Sequence, residues 1–146
     1  MDVVRLQRQD LALARDTFAM MGEVFAEDSW LPLSDRYLTE VLGQGRVWVY
    51  AAVLDSVPIG GVTAHVLPMT RGETSEMLIY DLAVRDDWRR RGVGRALVQQ
   101  LLKGAAAAGI GEVWVPADND DLHALDFYRH TGGVAQAVTI FTYRTR

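Results

Sequence analysis

A carboxylate set inside an apolar run and a glycine turn ringed by arginines are the features of this 146-residue chain that could do chemistry. Apolar residues crowd positions 79–84, and Asp81 interrupts them. Burying a carboxylate there is costly unless it finds a partner. An ammonium would be one, and Asp81 could then take its proton directly or through a water. The plainer alternative is a carboxylate hydrogen-bonded to the turn that follows. Glu76 and Asp118, near strand ends, are second choices for the same base. Further on, Arg89-Arg90-Arg91 leads into Gly92-Val93-Gly94-Arg95. From there Val93, Ala96, Leu97, Gln100 and Leu101 recur at helical spacing, so the period changes from strand to helix across the loop. A helix that starts this way offers unpaired N–H groups and the positive end of its dipole to an anion. Gly-x-Gly alone would be only a turn. The surrounding arginines make phosphate the expected ligand, with some of them left in solvent.

Other chemistries are disfavoured. The chain has no cysteine, so it forms no disulfide, thiolate metal site or cysteine nucleophile, which fits a reducing compartment. His65, His123 and His130 are scattered without ligand spacing, so no metal is expected. His65, between Ala64 and Val66, reads as packing or a substrate edge. No Gly-x-Ser-x-Gly turn supports a covalent acyl-enzyme. A formal net charge of −4 argues against nucleic acid and suits a cationic partner. The first residues lack the apolar core of a signal peptide, and no apolar run is long enough to span a bilayer. A cytoplasmic protein without a membrane partner is the expectation.

The elements that must position these residues follow from pattern. Residues 3–6 read as a short strand, and Asp10 stands at the N-cap of a helix over 11–27. Leu11, Ala14, Phe18, Met21 and Phe25 give that helix an inward face. Ser34 caps a second helix that ends at Gly43 and Gly45. Helices placed here often wall a cleft, which makes Glu23, Glu27, Asp28 and Asp35 candidate substrate contacts, although solvated surface is the better reading for any one of them. Residues 46–54 and 58–67 form a hairpin about a turn at 55–58, and Gly60-Gly61 marks a bulge or a close backbone approach. Residues 76–84 are the next strand. The arginine-loop helix ends near Gly109, and 112–116 is apolar enough to predict a central strand. Asp118-Asn119-Asp120-Asp121 caps a helix over 122–130, which Thr131-Gly132-Gly133 stops. Residues 134–143 close as a strand. Length and the absence of linkers predict one domain over 1–146, of mixed α/β class, with the fourth and fifth strands as parallel neighbours.

These motifs resemble those of the GCN5-related N-acetyltransferases (GNAT). Arg89-Arg90-Arg91-Gly92-Val93-Gly94 matches that family's Arg/Gln-x-x-Gly-x-Gly/Ala signature, with Val84 at its usual valine. Asp86 departs from the proline commonly found two residues after that valine. Residues 124–132 resemble the family's later segment, in which Tyr128 is the recurrent tyrosine and Asp121 stands where Asn is frequent. The resemblance implies the GNAT fold: a central mixed, mostly antiparallel sheet with a parallel fourth–fifth pair, flanked by helices. A narrower similarity, spread over residues 60–128, is to the aminoglycoside 3-N-acetyltransferases that modify gentamicin.

What the resemblance implies for the site can be set out residue by residue. Backbone N–H groups from about Arg91 to Arg95 would hold the pyrophosphate of acetyl-CoA, with Arg89 and Arg90 adding charge. Those of Leu82, Ala83 and Val84 would hold the acetyl carbonyl and the pantetheine arm. Tyr128 would protonate the departing thiolate, while Phe127 is core. Asp81, Glu76, Asp118, Asp120 and Asp121 would surround a substrate bearing several ammonium groups, with helix capping the simpler explanation for part of the acidic run. Direct transfer in a ternary complex is the implied mechanism. Many relatives pair, and the C-terminal strand offers an edge for a homodimer. The alternatives are another polyamine, amino acid or protein amine as acceptor, or an acyl-CoA-binding module without catalysis.

Overall fold

Residues 1–26 and 30–146 are described by the computed structural model, in the order β1 (Asp2–Arg5), α1 (Leu11–Phe25), α2 (Asp35–Gly43), β2 (Val47–Leu54), β3 (Val57–Pro68), β4 (Ser75–Val84), a 3₁₀ turn (Asp86–Trp88), α3 (Val93–Ala107), β5 (Val113–Trp114) and α4 (Leu122–His130). They fall into two units, Met1–Pro116 and Ala117–Arg146.

The first unit holds one sheet in the order β1-β2-β3-β4-β5. The first three pairings are antiparallel and β4–β5 is parallel, as the loop-plus-helix connection between them requires. The sheet has helices on both faces, so its central strands are apolar on both. Along β2, Trp48, Tyr50 and Ala52 pack into the cluster that includes Val93, Leu97 and Leu101 of α3. Val49 and Ala51 alternate with them and pack against Ala14, Leu38 and Leu42 of α1 and α2. The β2–β3 turn is tight because Asp55 and Ser56 both take positive φ, 50° and 65°, which suits the right-handed twist of a hairpin. Val57 and Pro58 therefore belong to β3 rather than to the turn.

Gly60 and Gly61 are the point where helices press on the sheet from both sides. A Cβ at Gly60 would lie 2.9 Å from Val93 Cγ1 of α3, and one at Gly61 2.8 Å from Met21 Sδ of α1. The expected close approach is thus present on both faces, and the β2–β3 register also shifts beside it, between Ala52 and Val53.

Ser34 caps α2 as expected, accepting from Tyr37 N at 3.1 Å. Asp10 occupies the N-cap position of α1 but makes no capping bond; its Oδ2 instead accepts from Gln7 N at 2.7 Å. Two strand expectations need correction. Residues 112–116 are not central: β5 pairs over two residues only, at the edge of the sheet, with Trp114 41% exposed. An apolar run reads the same whether it has one strand beside it or two, and here only Val113 and Trp114 join the ladder with β4. Residues 134–143 join no strand ladder among the described residues, and Phe141 is 80% exposed there. The strand pattern is present, but a strand needs a neighbour.

In the second unit, Asp121 caps α4 by accepting from Ala124 N at 3.1 Å, and Asp118 Oδ1 accepts from Asp120 N at 3.1 Å. Arg129 and His130 lie in the last turn, where a helix dipole favours cations. Gly132, at φ 101°, lets the chain turn away.

Candidate functional site

Asp81 owes its place to a bulge. In a strand, residues two apart share a face. Met77 and Ile79 point into the α3-side cluster, so simple alternation would send Asp81 after them. It does not. Thr63 of β3 pairs with Asp81, but the next residue, Ala64, pairs with Ile79, leaving Tyr80 as the extra residue in β4. The parity flips there: Leu82 and Val84 now pack on the α3 side, while Ala83 joins Met20 and Met21 of α1. Asp81 shares the parity of Ala83. It is half-buried on that face, and Tyr80 is 64% exposed beside it.

Thr63 holds the carboxylate residue in position. Its Oγ1 accepts from Asp81 N at 3.2 Å and lies 3.4 Å from Asp81 Oδ2, to which it donates. Thr63 is only 8% exposed, so it orients Asp81 from inside the sheet. Reading the sequence did not single it out. Its signal would have been a hydroxyl in an otherwise apolar central strand.

Past the bulge, β4 loses its neighbour on one side. The parallel ladder with β5 consists of Met77–Val113 and Leu78–Trp114. From residue 79 to 84, no strand among the described residues flanks β4 on that side. This is the splay that would leave N–H groups near Leu82, Ala83 and Val84 open to a ligand.

The loop that follows is built from local charge pairs. Arg85 Nη2 donates to Asp87 Oδ2 at 2.8 Å, Arg89 Nε pairs with Asp86 Oδ1 at 3.2 Å, and the Arg91 guanidinium lies 4.9 Å from the centre of the Trp88 ring. Asp86, which departs from the family's proline, thus anchors Arg89. Arg90 takes φ 60° and Gly92 φ 81°. Nothing lies within 4 Å of a Cβ at Gly92, so glycine is needed there for backbone conformation and not for space. A left-handed residue followed by the right-handed start of a helix turns successive N–H groups the same way. Gly92 is the N-cap of α3 and supplies no side chain to its first turn; intrahelical bonding begins with Ala96 N to Gly92 O at 3.0 Å. The N–H groups of Val93, Gly94 and Arg95 precede that bond. Arg89, Arg90, Arg91 and Arg95 are all exposed around them. These residues fit a pyrophosphate.

Tyr128 and the acidic run belong to the second unit. Tyr128 is half-buried on α4, its ring 5.2 Å from that of Phe127 in an edge-on arrangement. Asp118, Asp120 and Asp121 are exposed, and capping accounts for Asp121 and for one oxygen of Asp118.

The remaining candidates are placed as follows. Glu76 lies at the start of β4 and its Oε2 pairs with Arg71 at 3.5 Å. Asp35 pairs with Arg15, and Glu23 is exposed on α1. Glu27 and Asp28 lie outside the described residues. The His65 ring stands 5.6 Å from that of Tyr80, edge-on. No group of three or more His, Asp or Glu among the described residues could hold a metal ion. No helix among them is long and apolar enough to cross a membrane.

Comparison with known proteins bears on this arrangement. The acetyltransferase (GNAT) family model matches residues 13–132. An aminoglycoside acetyltransferase from an uncultured soil metagenomic sample, meta-AAC0020, solved in complex with sisomicin, is 31% identical over 99% of this chain and 95% of its own, with a TM-score of 0.92. A second one, HMB0005, also from an uncultured soil metagenomic sample, is 31% identical over 99% of this chain and 98% of its own, with a TM-score of 0.94. The aminoglycoside N-acetyltransferase AAC(6')-Iy, solved in complex with CoA, shares the fold alone, at 15% identity and a TM-score of 0.79 over 99% of this chain and 95% of its own. No curated protein sequence matches.

Proposed function

The chain belongs to the GNAT family of acetyltransferases, and from that premise we propose that it moves the acetyl group of acetyl-CoA directly onto an amine of an aminoglycoside, at the 3-N position by resemblance. The observation that carries this reading is the bulge at Tyr80. It turns Asp81 out of the α3-side core in the same strand that leads into the uncapped start of α3. Support for the acceptor comes from the relative solved with sisomicin, which is similar over nearly the whole chain. The family match spans both units, which supports one catalytic domain over 1–146.

Acetyl-CoA supplies a thioester acetyl group when bound. The first turn of α3, with Arg89, Arg90, Arg91, Gly92, Val93, Gly94 and Arg95, holds its phosphates. N–H groups of Leu82, Ala83 and Val84 donate to the acetyl carbonyl where negative charge grows, an effect worth about 3 kcal/mol for one such preorganised donor. The acceptor arrives as an ammonium, since alkylamines lose their proton well above neutral pH. Asp81 takes that proton, directly or through a water, and the freed nitrogen bonds to the acetyl carbon. As the C–S bond breaks, Tyr128 gives its phenolic proton to the sulfur, and the phenolate is restored by the second proton, which the nitrogen sheds as it becomes a neutral amide. No metal takes part. Asp118, Asp120, Asp121 and Glu76 attract the other ammonium groups of the substrate. Such an enzyme works in the cytoplasm, where acetyl-CoA is made.

The test is thiol release from acetyl-CoA against gentamicin, sisomicin, spermidine, free amino acids and peptide amines, with the product's acetylated position read by NMR. Turnover of gentamicin or sisomicin at the 3-amino group is the expected result. Turnover of spermidine or a peptide amine alone would replace the substrate while keeping the chemistry. Absence of acetyl-CoA binding would remove the chemistry too.

A further inference from the structure

One face of the sheet loses its helical cover where Asp81 stands. α1 reaches along β3 and β4 as far as Gly61 and Ala83, which it meets through Thr17, Met20 and Met21. Beyond them on the same face come Thr63 with Asp81, then His65 opposite Leu78, then Leu67 opposite Glu76. Among the described residues, no packed cluster includes His65, Leu67 or Leu78, and all three are half-buried. Tyr80, the extra residue of the bulge, lies over this face too. Its ring stands 5.6 Å from that of His65, edge-on, and the residue is 64% exposed.

An exposed aromatic side chain with a fixed tilt, next to a carboxylate, suits one kind of ligand. The face of an aromatic ring is negative and attracts cations and C–H groups polarised by a neighbouring ammonium. A saturated ring bearing amines offers both: one amine for the carboxylate and a face of C–H groups for the aromatic ring. Charge continues along the sheet. Asp81 and Glu76 stand at the register positions of Thr63 and Leu67, four residues apart on β3 and hence separated by about 13 Å. That separation exceeds one six-membered ring, and His65 and Tyr80 lie between the two carboxylates. Glu76 has a 3.5 Å contact with Arg71, whose side chain is 82% exposed, a pairing weak enough to yield to another cation.

We propose, on the reading of Asp81 as the base for the acceptor amine, that Tyr80 is the platform for the saturated ring carrying that amine and so selects cyclic polyamines over linear ones. The reacting nitrogen sits at Asp81, so the ring attached to it falls on the adjacent residue, Tyr80, and a second amine-bearing ring extends toward Glu76. Tyr80 touches the substrate. His65 acts through it, as a positioning residue that sets the tilt of the ring. No strand among the described residues flanks β4 past Leu78, which leaves room for the acceptor.

NMR of sisomicin titrated with the wild-type protein, saturated with CoA, reads the stack directly. The C–H protons on one face of the aminated ring should move upfield in the ring current of Tyr80. Tyr80→Leu, which keeps the bulk and removes the ring, should abolish that shift. By calorimetric titration Tyr80→Leu should raise the sisomicin dissociation constant about tenfold and that of spermidine at most about twofold, with Tyr80→Phe near wild type for both. His65→Ala should weaken sisomicin about threefold alone and no further in the Tyr80→Leu background. Equal losses for sisomicin and spermidine, or upfield shifts that persist in Tyr80→Leu, overturn the platform and leave the acceptor and its base standing. Additive losses from His65 and Tyr80 overturn the positioning role. A wild-type protein that binds no sisomicin overturns the acceptor itself, and the platform with it.

Discussion

Gly60→Ala tests how tightly the sheet and the cofactor helix are fitted together. A Cβ at this position meets Val93 Cγ1 at 2.9 Å, Leu97 Cδ1 at 3.1 Å and the Ala83 carbonyl oxygen at 3.3 Å. Comfortable carbon–carbon contact lies near 3.5–4.0 Å. Val93 is 2% exposed and Leu97 fully buried, so neither side chain has solvent to retreat into, and α3 itself must move outward by roughly half an ångström. Overpacking of this kind costs about 1–3 kcal/mol. The backbone of Gly60 is not left-handed, so alanine recovers about 0.4–1 kcal/mol by restricting the unfolded chain. The net loss centres on about 1.3 kcal/mol, or a melting temperature lower by about 4 °C for a domain of this size. The displaced end of α3 begins at Val93, next to the turn assigned to the pyrophosphate, so acetyl-CoA affinity should fall with it. Gly61→Ala is the control, because its Cβ meets Met21 Sδ at 2.8 Å and Thr17 Cγ2 at 2.9 Å on the α1 side. It should lower stability and leave cofactor affinity close to wild type. Calorimetry and isothermal titration read both quantities. A Gly60→Ala protein that melts at or above the wild type would refute the packing argument, and equal loss of affinity in both variants would refute its link to the cofactor turn.

Asp81→Asn should cut turnover by at least about a hundredfold while changing acetyl-CoA affinity little, the range expected for loss of a general base; a rate near wild type would mean the base is elsewhere. Thr63→Val keeps the shape of the side chain but deletes both bonds to Asp81 and should lower kcat about tenfold with acetyl-CoA affinity little changed, whereas Thr63→Ser restores the bonds and the rate. Ser34→Ala removes the cap on Tyr37 N and should cost about 1 kcal/mol, or about 3 °C in melting temperature, without touching kinetics. Burial pushes the Tyr50 hydroxyl above its ordinary value, against the lowering pull of Arg5. The unfolded chain therefore loses that proton first, stability falls as pH rises past about 10, and Tyr50→Phe should make the fall shallower in melts from pH 8 to 11.

Most of the sheet was legible because β2 and β3 are covered on both faces, and a strand buried on both faces reads as a continuous apolar run. The capping residues were legible too, with the difference that Asp10 spends its carboxylate on Gln7. What escaped the sequence were facts about neighbours. An apolar run such as 112–116 does not say whether it has one strand beside it or two. Residues 134–143 have the alternation of a strand, but alternation cannot say which edge, or whose, completes the ladder. Asp81 is the sharpest case. In sequence it is a costly carboxylate two residues after the buried Ile79. Its exit from that face depends on an extra residue in β4 that exists only relative to β3, where Thr63 and Ala64 take Asp81 and Ile79 as partners. The bulge relieves part of the burial cost, and Thr63, the residue that fixes the register there, also bonds the carboxylate. A substitution that removed the bulge would therefore turn Asp81 toward Leu97 and its neighbours, where a charge has no partner, and would disturb the base and the core in one step.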